Sequence, residues 1–274
     1  MKAEKKSRRS VRHGAALVGS AAALTLACSP VAKAASTPIT FANFAETGTP
    51  GSANTFAYND NGPSGDAELV SSVSIPVSFN FVSITSGLPS DLQGVQNATL
   101  TLTSSTTTPV VTTPIFGETA AFQQIGTTVT NAVLTITRDT PAAEGNNLRQ
   151  NLLTMDFTGV LGGLLGSNVP VLQGSTSNGN VVTYTSDFLN FTSVTGSDFN
   201  VAFSSWITNA DGNGLELSAN TNDVYFASAT AAAAGTFDTT VPTVNIFVPE
   251  PSGWPLAALG GLILLTKRRR RAAC

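Results

Sequence analysis

Apolar and polar residues alternate with a period of two through most of the middle of this chain. In VSIPVSFNF, residues 73–81, one face carries Val73, Ile75, Val77, Phe79 and Phe81, and the other carries Ser74, Pro76, Ser78 and Asn80. The same alternation puts Leu100 and Leu102 on one face of ATLTLT (98–103). It aligns Ala132, Leu134 and Ile136 in NAVLTITR, Leu153, Met155 and Phe157 in LLTMDFTG, and Phe199, Val201 and Phe203 in DFNVAFSSW. A two-residue period is the mark of a half-buried strand, because successive side chains leave a strand on opposite faces. Further strands are expected at 181–185, 215–219, 223–229, 235–239 and 243–247.

Turn chemistry separates these runs. Asn59-Asp60-Asn61-Gly62-Pro63, Gly87-Leu88-Pro89-Ser90-Asp91, Asn178-Gly179-Asn180 and Asp211-Gly212-Asn213-Gly214 all supply residues that adopt turn dihedrals easily. No stretch of the body keeps a helical period. Nine to eleven short strands between such turns predict an all-β fold: an antiparallel β-sandwich, with jelly-roll topology as one option. Pro76 is expected to push its strand to a sheet edge or a bulge. The four glycines of GVLGGLLGS (159–167) favour a loop. TSSTTTPVVTTP (103–114) reads as an exposed low-complexity loop or stalk. SATAAAAGT (228–236) reads as strand or bulge. No repeat of fixed period is evident.

Charge is segregated along the chain. Residues 36–250 hold two cations, Arg138 and Arg149, against sixteen carboxylates, a balance of −14, while the whole chain sums to −3. Lys, His and Cys are absent from that stretch; His13, Cys28 and Cys274 lie in the end segments. This inventory excludes His-based nucleophile systems, zinc centres, Schiff bases and P-loops. It also excludes a basic nucleic-acid groove. Carboxylate chemistry, oxygen-ligated cations or a non-catalytic role remain.

The end segments carry addresses. Residues 1–34 have a basic start, a mildly apolar run from Ala15 to Ala27, and Ala32-Lys33-Ala34, the small side chains a signal peptidase accepts. A signal peptide cleaved after Ala34 is expected. Ser7-Arg8-Arg9 leaves Sec and twin-arginine export both open, and Leu26-Ala27-Cys28 carries part of a lipoprotein box. Residues 248–274 have three parts. Val248-Pro249-Glu250-Pro251 is stiff and extended. Trp254–Thr266 is an apolar run of thirteen residues. As a helix it reaches about 20 Å, short of a hydrocarbon core of about 30 Å. Lys267, Arg268, Arg269, Arg270 and Arg271 follow, and such a cluster stays cytoplasmic.

This three-part tail closely resembles the PEP-CTERM sorting signal. The resemblance rests on Pro249, Glu250 and Pro251, on the apolar Trp254–Thr266 and on the basic run Lys267–Arg271, and covers about the last 27 residues. It implies a substrate of exosortase, an integral-membrane transpeptidase or protease that cuts near the Pro-Glu-Pro motif. It further implies transient anchoring in the inner membrane by a short transmembrane helix, and a Gram-negative-type host that makes exopolysaccharide. The expected organisation is a signal peptide (1–34), a β-sandwich body (35–247) and a sorting signal (248–274).

The body offers residues for three kinds of site. Calcium takes six to eight oxygen ligands, and Asp211, Asn213 and Glu216 place such donors on one loop; Asn59-Asp60-Asn61-Gly62 through Asp66 form a second candidate. Neither has EF-hand spacing, and both match ordinary turns, so no cofactor is expected beyond this weak Ca²⁺ candidacy. Two carboxylates suffice for a glycoside hydrolase, but sixteen acids cannot be paired from sequence. RDTPAAEGNNLRQ reads as a loop whose Arg138 and Arg149 pair with Asp139, Glu144 or neighbouring acids; Trp206 reads as core. The expectation is a non-enzymatic exported protein of the cell surface or extracellular matrix, structural or associated with extracellular polysaccharide. A carbohydrate- or calcium-binding module is the alternative, and a carboxylate-dependent glycosidase the second alternative. The expected partners are signal peptidase, exosortase and extracellular polysaccharide, and no nucleic acid.

Overall fold

A computed structural model describes residues 37–245, apart from 48–55, 63–64, 72, 85, 128–129, 145–146, 209–211, 213 and 219–223. All described residues fall in one unit, Ser36–Cys274. The signal-peptide residues, including Ala32 and Ala34, and the tail, including Pro249–Pro251 and Lys267–Arg271, lie outside the described residues. Among the described residues no helix is long and apolar enough to cross a membrane.

The strands are β1 (Ile39–Glu46), β2 (Phe56–Asp60), β3 (Ala67–Ser71), β4 (Ile75–Phe81), β5 (Gln96–Thr103), β6 (Val111–Ile115), β7 (Glu118–Ile125) and β8 (Ala132–Glu144). They continue with β9 (Asn147–Phe157), β10 (Gly159–Leu164), β11 (Val171–Ser175), β12 (Val182–Thr185), β13 (Leu189–Asn190), β14 (Ser197–Thr208), β15 (Ala229–Thr239) and β16 (Thr243–Val244). Fourteen of them join in one antiparallel sheet with the path β12-β9-β8-β5-β4-β1-β15-β14-β11-β10-β7-β6; β2 pairs with β15 and β3, and β13 pairs with β16 in a small second sheet. The all-β expectation is met.

Alternation decides which way each strand faces. Ile75, Val77, Phe79 and Phe81 of β4 are buried, as are Leu134 and Ile136 of β8 and Phe199, Val201 and Phe203 of β14. The sheet doubles back so that distant strands share one interior. Tyr184 of β12, at one end of the path, meets Phe41 of β1 and Phe237 of β15 with ring centroids 5.2 and 6.1 Å apart. Phe157 of β9 meets Phe199 of β14 edge-on at 4.7 Å. A second aromatic group, Phe56, Tyr58, Phe203, Trp206 and Phe226, fills the interior around β2 and β14. Trp206 is core, and its indole N–H has no hydrogen-bond partner among the described residues.

Four local expectations are corrected. Gly159–Leu164 is not a loop but the strand β10, and its glycines make room for rings on neighbouring strands. A Cβ on Gly162 would lie 2.4 Å from Cδ1 of Phe122, and one on Gly159 would lie 2.8 Å from the Phe199 ring. Pro76 is not on an edge, since β4 pairs with both β1 and β5. Its carbonyl accepts from the N–H of Thr47, just past the end of β1. The missing proline N–H therefore falls at the margin of that ladder, where it costs little. The stretch 103–114 is only partly loop: Val111–Ile115 form β6, whose five residues are all exposed, and Thr106 is buried opposite Ala67. RDTPAAEGNNLRQ lies mostly in β8 and β9, which reach Glu144 and Asn147. Ala229–Thr239, by contrast, form a central strand, as the composition of 228–236 allowed.

Candidate functional site

The calcium candidates do not assemble in what the structure describes. Asp211 and Asn213 lie outside the described residues. Glu216 is half-buried, and its Oε2 accepts from the Thr208 hydroxyl at 3.5 Å. In the other loop the Gly62 N–H donates to Asp60 Oδ1 at 3.0 Å, the geometry of an Asp turn. Among the described residues no three His, Cys, Asp or Glu side chains are grouped to hold a metal ion. Arg138 pairs with an acid on another segment, Asp91, Nη1 to Oδ2 at 2.9 Å. The Arg149 guanidinium lies 5.6 Å from the centre of the Phe188 ring.

A different region emerges on the outward face of β4, β1, β15, β14, β11, β10 and β7. Strand register places Asn80 beside Asn43, Asn43 beside Thr236, Thr236 beside Asn200, Asn200 beside Gln173, and Gln173 and Gln124 on either side of Val160. This gives a stripe of amides and a hydroxyl running across seven strands, interrupted once by valine. Two residues along each strand runs a second stripe. Ala45, Ala234, Ala202, Val171, Gly162 and Phe122 are successive partners in it. Two residues to the other side, Ser175, Asp198 and Asp238 are successive partners, with Thr40 beyond.

The face is hollowed. A groove of about 400 Å³ is lined by Asn43, Asn80, Asn200 and Thr236 from the amide stripe and by Ala45, Ala202 and Ala234 from the apolar one. A neighbouring groove of about 440 Å³ includes Asn200 again, with Gln124, Gln173, Asp198 and Asp238. Asn200 is common to both, so the two depressions adjoin.

Asp198 and Asp238 are direct cross-strand partners, and Oδ1 of each is buried with no hydrogen-bond partner among the described residues. Tyr184 approaches from the interior and donates its hydroxyl to the Asp198 carbonyl oxygen. Burial raises the Tyr184 pKa well above the usual tyrosine range, and the Asp238 and Asp198 charges raise it further. Burial likewise raises that of Tyr58, against the opposing effect of its bond to Gln123. Sequence reasoning missed the face because each strand contributes one or two unremarkable polar residues; only register lines them up. No protein-family model, no curated protein and no solved structure matches this chain.

Proposed function

We propose that this chain is an exported protein of the cell surface or extracellular matrix whose body, a two-layered β-sandwich, acts as a non-catalytic structural unit. The observation that carries the reading is how the body divides its side chains. Trp206, Tyr58, Tyr184 and Tyr225 are all spent on the interior, while the outward positions of β5, β8 and β14 hold mainly Thr, Ser, Asn and carboxylates. Such a surface stays hydrated and soluble outside the cell. The addresses come from sequence: the signal peptide with Ala32 and Ala34, the Pro249-Glu250-Pro251 motif, the apolar Trp254–Thr266 and the basic run Lys267–Arg271. In this scheme signal peptidase and an exosortase-type enzyme are transient partners, and the inner membrane is a temporary mooring.

Mass spectrometry of the native protein tests the scheme. The expected mature form begins at Ala35 and lacks Lys267–Arg271. Protein isolated from the cell surface with Met1 or the basic run still attached overturns it.

A further inference from the structure

We propose that the striped outward face of β4, β1, β15, β14, β11, β10 and β7 binds an extended, uncharged polysaccharide lying across the strands. The proposal deepens the matrix reading by giving it a ligand, and rests on that reading only for the place where ligand and protein meet.

A pyranose ring presents apolar C–H faces and a rim of hydroxyl groups. The face offers a complement to each, side by side. Ala45, Ala234 and Ala202 form a smooth apolar strip, and Asn80, Asn43 and Asn200 run parallel to it. Residues two apart along a strand stand about 7 Å from one another, so one sugar ring can touch both stripes. Each amide has donors and an acceptor and so can meet a hydroxyl in either sense. The side chains of Asn43, Asn80, Asn200 and Gln173 make no hydrogen bond to other described residues, which leaves them open to a ligand. Adjacent strands are about 4.8 Å apart, so the stripe over seven strands spans about 29 Å. That is the length of several sugar units, and it calls for a chain rather than a monosaccharide.

Charge narrows the class. Among the described residues no cation lines either groove, and the third stripe holds Asp198 and Asp238. Anionic glycans and phosphodiester chains are repelled there, whereas neutral chains are not. The grooves also lack an aromatic platform: of the aromatic residues lining them, Phe44, Phe79 and Phe199 are buried. Each sugar therefore contributes little, and affinity builds with chain length.

Affinity electrophoresis of the full chain tests this, using native gels cast with hydroxyethylcellulose, galactomannan or alginate. The expected result is retardation in at least one of the two neutral gels and none in alginate. Asn43→Ala combined with Asn200→Ala should weaken retardation about tenfold. Ala234→Glu, at an exposed position, should abolish it by placing a charge in the apolar stripe. Asn200→Asp keeps the side-chain shape, guards against a folding artefact, and should weaken retardation too. Free migration of the wild type in both neutral gels overturns the proposal. So does retardation that all three variants retain, or a preference for alginate. Unprocessed termini would sink the sorting scheme and leave this result standing; free migration would sink the groove and leave the sorting scheme standing.

Discussion

Tyr58 and Tyr184 show what burial does to a single group. Tyr58 donates its hydroxyl to Gln123 Oε1 at 2.7 Å in the core, and Tyr184 donates to the Asp198 carbonyl. In both cases burial is the leading cause of a raised pKa. The sign of the consequence is fixed. Once pH exceeds the ordinary tyrosine value of 10.0, the unfolded chain releases these protons while the folded protein keeps them. The stabilisation is complete below that pH and is lost as pH rises beyond it, by up to about 1.4 kcal/mol per pH unit for each tyrosine. Urea melts at a series of alkaline pH values should show this decline, and Tyr184→Phe should make it shallower. An unchanged slope in that variant would mean its phenol is not held neutral by the fold. The sequence placed Tyr184 in a strand, 181–185, but its alternation with threonine does not reveal that Asp238 and Asp198 stand behind it.

Glycine and phenylalanine are matched between neighbouring strands. Phe44 of β1 is the partner of Gly235 on β15, Phe199 of β14 the partner of Gly174 on β11, and Phe122 of β7 the partner of Gly162 on β10. In each pair a Cβ on the glycine would lie 2.4–2.6 Å from the ring, so the ring lies across the bare backbone of its neighbour. Gly174→Ala should therefore destabilise the fold by about 2 kcal/mol through overpacking. Combining it with Phe199→Leu should give less destabilisation than the two single changes summed, a coupling that chemical denaturation measures. Strict additivity would show that the ring and the glycine do not constrain each other. This pairing also explains why glycine content misled the reading of 159–167. Glycine in an isolated segment argues for a loop, but beside an aromatic ring on the next strand it argues for close strand packing.

The charge imbalance acts on the molecule as a whole. Residues 36–250 carry a balance of −14, and one of their two cations, Arg138, is engaged by Asp91. Self-repulsion of this kind destabilises a compact state. Screening relieves it, since the Debye length falls from about 10 Å at 0.1 M salt to about 3 Å at 1 M. Sodium chloride should raise the melting temperature by a few degrees, as scanning calorimetry can test. Calcium at matched ionic strength should add little more if Asp60 serves an ordinary Asp turn, as its bond from the Gly62 N–H fits. A melting temperature that stays flat or falls with salt would show that the carboxylates are spread widely enough not to repel. Two of these carboxylates, Asp198 and Asp238, line one of the two grooves.

Periodicity alone determined the all-β class, the inward faces of β4, β5, β8 and β9, and that of β14 as far as Phe203; the bulge between Ser204 and Ile207 then turns Trp206 inward against the period. The class and those faces follow from each residue's nearest neighbours in sequence, where a two-residue period decides which side chains face inward. Composition alone narrowed the chemistry by leaving the body without His, Cys or Lys. Tertiary structure decided everything that depends on register and on what stands across the sheet. It turned Gly159–Leu164 of the glycine-rich stretch into a strand, sent Arg138 to Asp91 across 47 positions of sequence, and set Asp198 against Asp238. It also aligned Asn80, Asn43, Asn200 and Gln173 into one stripe. The physical reason is that hydrogen-bonded ladders join strands far apart in sequence, so a surface running across them is written one residue per strand.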